Sequence, residues 1–255
     1  MGIKTFHIHL IEKQMQLSPE FAERGMSHFS FLYLTAGEIL VECGGNSYDC
    51  QEGHFILMPP ETSFRIRFFQ NVNGFMGYFH EGILRDGNLP CLRAKEPQVH
   101  PYWFEDATFV AEFLNRLLRA EKRGDLSFIV RGLDLLLYTL GGGVKRRMPA
   151  VMDAFLDAVF NHERPLESVS FYADKLNITP GYLNKLSRKH TRRSAMQWIE
   201  ISRLNLSKRL LADFSLPVSA VAERSGIEDA SYFTRFFRKW TGMTPTGYRN
   251  SIEKS

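Results

Sequence analysis

Two stretches of this 255-residue chain carry cations and neutral hydrogen-bond donors at the same intervals. In the first, Lys185, Arg188 and Lys189 follow Gly181 and Asn184; in the second, Arg235, Arg238 and Lys239 follow Ala230, Ser231 and Thr234. Spacings of three and four residues place side chains on one face of a helix. A face of ammonium, guanidinium, amide and hydroxyl groups donates to an acceptor-rich surface: Arg and Lys suit guanine edges and phosphates, and Asn, Ser and Thr suit base edges. Either stretch alone reads more readily as a solvated helix face, which is what most helix charge clusters are. Recurrence of Lys/Arg at the same place in both argues for a shared task.

Other reactive side chains do not assemble into a catalytic set. Cys43, Cys50 and Cys91 form no C-x-x-C pair, and an odd count at irregular spacing fits reduced, partly buried thiols. His7 and His9 have alternate spacing without nearby partners, which fits a strand face, and His54 and His80 stand far apart in the chain. The expectation is a protein with no catalytic residues, no metal and no cofactor, and not an enzyme.

The elements that must position the two donor faces form an internal repeat. Tyr172 to Ser194 (YADKLNITPGYLNKLSRKHTRRS) and Val221 to Thr244 (VAERSGIEDASYFTRFFRKWTGMT) align with Ala173 on Ala222 and Ile178 on Ile227. One residue later in offset, Tyr182, Lys185, Arg188, Lys189 and Thr191 fall on Tyr232, Arg235, Arg238, Lys239 and Thr241, so the second copy has one more residue in its turn. Each copy reads as helix, short break, helix, the helix-turn-helix arrangement, near 168–190 and 217–241. Thr179-Pro180 and Asp229 are start signals for the second helix of each pair. Leu183 and Leu186, and Phe233, Phe236 and Phe237, mark the inward sides. Between the copies Ser194–Asp213 predicts one helix of about twenty residues, roughly 30 Å long, able to hold the two donor faces about one duplex turn, ~34 Å, apart.

The first half has a different rhythm. Segments FSFLYLTAGEILVEC, NSYDCQEGHFILMPP, ETSFRIRFF and NGFMGYFH between Phe29 and Phe79 predict short strands of a sandwich or barrel, with Phe64, Ile66 and Phe68 alternating against Arg65 and Arg67. Its aromatics Phe29, Phe31, Tyr33, Phe55, Phe64, Phe68 and Tyr78 suit a packed core or the wall of a pocket. From Phe104 to Leu140 two helices broken near Gly124 follow, with Phe109, Phe113, Leu117 and then Ile129, Leu133, Leu136, Leu140 as their apolar stripes. Gly141-Gly142-Gly143 and the basic run to Pro149 read as a linker. The expected layout is a domain over 1–143, a linker over 144–150 and a helical domain over 151–255.

Charge divides along the same line. Residues 1–143 carry a net −4 and residues 144–255 a net +8, although the chain as a whole is only +4. Only the second half suits a polyanion, whether DNA, RNA or a membrane surface. No run of eighteen apolar residues and no signal peptide is present, which predicts a cytoplasmic protein with no membrane partner. An apolar share of 44% and a charged share of 24% fit an ordinary globular chain.

From about Val151 to Arg249 the sequence resembles the AraC/XylS family of bacterial transcription regulators. The second copy carries that family's signature as A-x-x-S-G-I-x-D-x-S-Y-F-x-R-x-F-R-K-x-x-G-x-T-P-x-x-Y-R between Ala222 and Arg249. The resemblance implies a sequence-specific regulator whose base-reading positions are Gly181, Asn184, Lys185, Ala230, Ser231, Thr234 and Arg235. It makes Arg188, Lys189, Arg238 and Lys239 phosphate clamps. Ile227 stands where the family usually has Phe, Arg192 where Gly usually ends the helix, and Ala195 where Pro often starts the next one. An Arg at 192 is unfavourable if that position needs a positive φ.

By the same resemblance the first half is a cupin-like effector and dimerisation domain, making the whole an α+β protein: a β-barrel or sandwich with a helical hairpin, followed by an all-α domain with two helix-turn-helix units. Implied partners are double-stranded DNA, RNA polymerase, a second copy of the chain and a small-molecule effector. An effector-independent regulator and a metal-dependent cupin enzyme fused to a DNA-binding module are the competing readings.

Overall fold

The computed structural model describes residues 6–11, 27–43, 45–85, 89–93, 98–101, 107–140, 148–161 and 165–253. The chain divides into two compact units, Met1–Met148 and Pro149–Ser255. Most of the linker inferred at 144–150, and Phe104 as a helix start, lie outside the described residues.

The first unit is built on strands β1 (Phe6–Ile11), β2 (Phe29–Cys43), β3 (Asn46–Gln51), β4 (His54–Met58), β5 (Phe64–Phe79) and β6 (Gln98–Pro101). They form one antiparallel sheet in the order β1-β5-β2-β4-β6, with β3 paired to the far end of β2. ETSFRIRFF and NGFMGYFH are not two strands, as their punctuation suggests, but the halves of the single strand β5. The Asn and Gly residues between them mark a bend inside the strand. Pairing of β2 with β5 shifts register there, between Leu34 and Ala36 and between Ala36 and Glu38. Gly37 takes φ 81° opposite Asn71 at φ 51°, and a Cβ on Gly37 would lie 2.4 Å from the carbonyl oxygens of Gln70 and Asn71. The bulge lets two long strands stay paired while bending.

Alternation along β2 feeds two cores. Phe29, Phe31 and Tyr33 join Phe55, Phe75 and Phe79 beneath the helices α1 (Ala107–Arg123) and α2 (Leu126–Leu140), while Leu32, Leu34, Ile39 and Val41 join Ile56, Phe64, Val72 and Met76 in a cluster drawn from strands alone. A sheet buried on both faces accounts for the near-continuous apolar run in β2. Phe31 stacks on Phe55 at 5.6 Å, and Phe31, Tyr33 and Phe55 are no more than 1% exposed, so they are packed core. Phe68 and Tyr78 are half-exposed instead of interior. The outward reading of Arg67 also needs correction, because its guanidinium lies 2.7 Å from Glu42 with the side chain only 6% exposed.

In the hairpin, α2 buries Ile129, Leu133, Leu136 and Leu140 as expected. On α1 the buried stripe is Val110, Leu114, Leu117 and Ala120; Phe109 is 53% exposed and stacks on Phe113 at the rim. Gly132 in α2 lets Leu117 come close, since a Cβ there would sit 2.7 Å from its side chain. Glu121 ties α1 to β1, its carboxylate accepting from Ile8 N–H at 3.1 Å and lying 2.8 Å from His7 Nδ1. His7 and His9 thus sit on a partly exposed strand, His7 is engaged by α1, and His80 caps a short 3-10 turn by accepting from Gly82 N–H. Among the described residues no three His, Cys, Asp or Glu side chains gather as a metal site. Cys43, Cys50 and Cys91 are free and buried, and burial pushes all three thiols above their ordinary pKa.

The second unit is helical throughout: α3 (Ala150–Phe160), α4 (Val169–Lys175), α5 (Pro180–Thr191), α6 (Ala195–Leu211), α7 (Val218–Arg224), α8 (Ala230–Thr241) and α9 (Pro245–Glu253). Helix α6 is the inter-repeat helix. At 17 residues it is shorter than the twenty expected, about 25 Å. It packs on α3, α4, α5, α7 and α9. Trp198, Ile199, Ile201, Leu204, Leu206 and Leu211 bury different sides of it, so it is a shared core for both repeats as well as a strut.

Candidate nucleic-acid interface

The two copies are built alike from the caps upward. Thr179 accepts from Tyr182 N–H at 3.2 Å to open α5, and Asp229 accepts from the N–H groups of Ser231 and Tyr232 at 2.7 and 2.9 Å to open α8. Those two bonds hold the Asp229 carboxyl below its ordinary pKa. The turns run over residues 176–179 and 225–229, and each needs one left-handed residue: Asn177 at φ 55° in the first and Gly226 at φ 76° in the second. Both second helices also end left-handed, Arg192 at φ 57° and Gly242 at φ 78°. The strain foreseen for Arg192 is therefore present. Thr191 and Thr241 close the ends, each donating to the carbonyl four residues back and accepting from the N–H two residues on.

Burial follows the same order, residue by residue, over 181–190 and 231–240. Leu183 and Leu186, and Phe233, Phe236 and Phe237, turn inward. Gly181, Lys185, Arg188 and Lys189 are exposed on α5, as are Ala230, Ser231, Arg235, Arg238 and Lys239 on α8. Each second helix thus offers a run of donors around its outer side. Partial burial and then neighbouring Lys189 keep His190 below its ordinary pKa.

Two of the expected readers are differently placed. Asn184 is half-buried and its amide works inside the fold: Nδ2 donates to the Pro180 carbonyl at 3.2 Å, and Oδ1 accepts from Ala195 N–H at 3.1 Å. Its partner in the repeat, Thr234, is half-buried and donates to the Ala230 carbonyl at 2.9 Å. Helical periodicity does not reveal this, because position 184 lies at the edge of the outer face, within reach of the next helix. The same bond explains Ala195, since Pro has no N–H to give Asn184, whereas the second copy pairs Thr234 with Pro245.

The structure also adds candidates. Tyr182 and Tyr232 are 51% and 47% exposed at equivalent positions in the first turns of α5 and α8. The signal was in the repeat itself, where both tyrosines align, but aromatic residues read by default as core.

Most of the signature serves the fold. Ala222 and Ile227 are buried, Phe233 and Phe237 fill the core, and Tyr248 packs edge-on to Phe237 at 5.3 Å. Arg249 donates from Nε to the Leu211 carbonyl at 3.1 Å, closing the C-terminus of α6.

A helical unit with two cation-faced helix-turn-helix modules, preceded by a sheet-and-hairpin unit, defines a two-part DNA-binding regulator. Residues 172–251 match the model of a helix-turn-helix domain, and residues 5–121 match that of an AraC-like ligand binding domain. The chain belongs to the AraC/XylS family of transcription regulators. It is 24% identical over 234 residues to YobQ, an uncharacterized HTH-type transcriptional regulator of Bacillus subtilis, covering 89% of this chain and 88% of YobQ. It is 23% identical over 253 residues to the arabinose operon regulatory protein of Escherichia coli, covering 90% and 83% of the two chains. Among solved structures, ToxT of Vibrio cholerae aligns over 97% of this chain and 98% of its own, at 13% identity and a TM-score of 0.35. Double-stranded DNA is the partner of such a regulator. No described helix is long and apolar enough to cross a membrane.

Proposed function

We propose that this regulator reads two successive major grooves of one operator, with α5 in one and α8 in the next. Lys185 and Arg235 are the principal base readers, assisted by Gly181, Ala230, Ser231 and Thr234. Arg188, Lys189, Arg238 and Lys239 hold phosphates. Asn184 seats α5 against α6 and so orients Lys185. One observation carries this reading: two modules with the same order of inward and outward residues place Lys/Arg at matching exposed positions, in the half of the chain that holds the net positive charge.

Replacing the two arginines of α8 in turn tests the division of labour. Arg235→Ala weakens binding to the selected site by ~1–3 kcal/mol and relaxes base preference there. Arg238→Ala weakens specific and random duplexes alike and lowers the slope of log K against log salt by roughly one. Equal effects of both on both kinds of duplex, measured by fluorescence anisotropy, would refute the assignment.

The first unit is proposed to bind a small effector and to join two chains. It supports the effector reading by its match to an AraC-like ligand binding domain. A ligand that binds only the folded unit raises its stability by about 2.7 kcal/mol at a hundredfold excess over Kd, so a thermal-shift screen of sugars, aromatic acids and fatty acids tests the point. If none shifts the transition, the effector-independent reading takes its place.

A further inference from the structure

We propose that Arg203 is a positioning residue that fuses the two helix-turn-helix modules into one rigid reader and so makes the protein selective for the spacing between its two half-sites. The inference rests on the DNA-reading role proposed above.

Arg203 projects from α6, which neither reads nor belongs to either module. Its guanidinium donates from Nε to the Ser225 carbonyl at 2.9 Å and from one terminal nitrogen to the Leu166 carbonyl at 3.1 Å. Ser225 is the first residue of the turn between α7 and α8, and Leu166 is buried just ahead of Ser168, which caps α4. One side chain therefore ties the second module's turn to the lead-in of the first. Its planar fork meets each carbonyl with a separate nitrogen at a fixed spacing, whereas a lysine offers its three donors from one nitrogen, to which both carbonyls would have to converge.

Three neighbours make the joint close-fitting. Gly226 approaches Leu166 so nearly that a Cβ on it would lie 2.2 Å from the Leu166 carbonyl oxygen. Ser207, one turn along α6, donates to the Arg203 carbonyl at 2.7 Å, and its hydroxyl lies 2.9 Å from that of Ser225. Ser225 in turn donates to the Val221 carbonyl inside α7. The first copy has Leu176 where the second has Ser225, and Asn177 where it has Gly226. Both turns need a left-handed residue at that place, and Asn177 supplies it with a side chain; the missing Cβ of Gly226 and the hydroxyl of Ser225 are what the junction adds.

A joint of this kind matters only if both modules must engage together. Each base pair inserted between half-sites moves one of them about 3.4 Å along and about 34° around the duplex axis. A rigid reader cannot follow that displacement, and it loses the second module's contribution; a hinged one retains much of it.

The test is in vitro selection from random duplexes with the full chain, for the wild type, Arg203→Lys and Gly226→Ala. Anisotropy titrations follow on the selected duplex and on versions with one or two base pairs inserted between the motifs. The wild type should select two motifs at one spacing and lose roughly tenfold or more in affinity on a single insertion. Arg203→Lys, which keeps the charge, should select the same motifs over several spacings, with most of the insertion penalty gone. Gly226→Ala, which wedges the joint, should do likewise. If Gly226→Ala fails to fold, Arg203→Lys decides alone. An undiminished insertion penalty in Arg203→Lys overturns the proposal, as does a wild type that selects one unpaired motif, although DNA reading then survives. A wild type that selects nothing refutes DNA reading and this proposal with it.

Discussion

At the scale of single residues, the repeat works as an internal control. Arg192 and Gly242 occupy the same left-handed position, and a Cβ at Gly242 would meet nothing within 4 Å. Backbone strain alone separates the two residues there. Arg192→Gly should raise stability by about 1 kcal/mol in urea unfolding, and Gly242→Ala should lower it by a similar amount. A second expectation concerns Asp229. Its carboxyl is held below the ordinary pKa by N–H bonds from Tyr232 and Ser231. A lowered folded-state pKa adds stability that is complete above the unfolded value and is lost as the pH falls through the folded one. Asp229→Asn should therefore flatten the loss of stability below about pH 4 and leave its pH dependence near neutrality unchanged, as followed by circular dichroism.

Elements show how one helix is seated on the next. Asn184 with Ala195 at the α5–α6 corner, and Thr234 with Pro245 at the α8–α9 corner, are alternative solutions to the same junction. Asn184→Thr removes the acceptor of the Ala195 N–H and should cost about 1–2 kcal/mol. Ala195→Pro removes the donor and leaves the Asn184 amide oxygen without it. Together they recreate the second corner in the first, so the double variant should be less destabilised than the sum of the singles by about 1 kcal/mol in a double-mutant cycle. Strict additivity would show that the two residues are not coupled. Elements also explain what was legible beforehand. Helix starts were readable because capping is a local choice of hydroxyl or carboxylate. The two parts of β5 were misread as separate strands because a bulge uses the same Asn and Gly residues as a turn.

For the whole molecule, the open question of assembly has a place on the surface. Phe128, Leu135 and Tyr138 of α2 are exposed at intervals of seven and three residues, on the side away from the buried stripe. That is the spacing of a helix-to-helix seam. Sedimentation at micromolar concentration should give a dimer, and Leu135→Arg with Tyr138→Glu should give a folded monomer with weaker operator binding. A wild type that sediments only as monomer would refute the dimer.

Composition, periodicity and duplication were enough to determine that this chain has a sheet-rich half and a helical half, that the helical half repeats one module, and which residues of each copy are cations on an outer face. Strand and helix periods depend on neighbours two to four residues away, and a duplication on two matching stretches of sequence, so residue order alone records both. Tertiary structure alone decided that Asn184 spends its amide on Ala195, that Arg203 joins Ser225 to Leu166, and that Phe109 lies outside the α1 stripe while Val110 lies within it. Each of these turns on which polar or apolar group a distant segment brings alongside, and no local pattern records that choice.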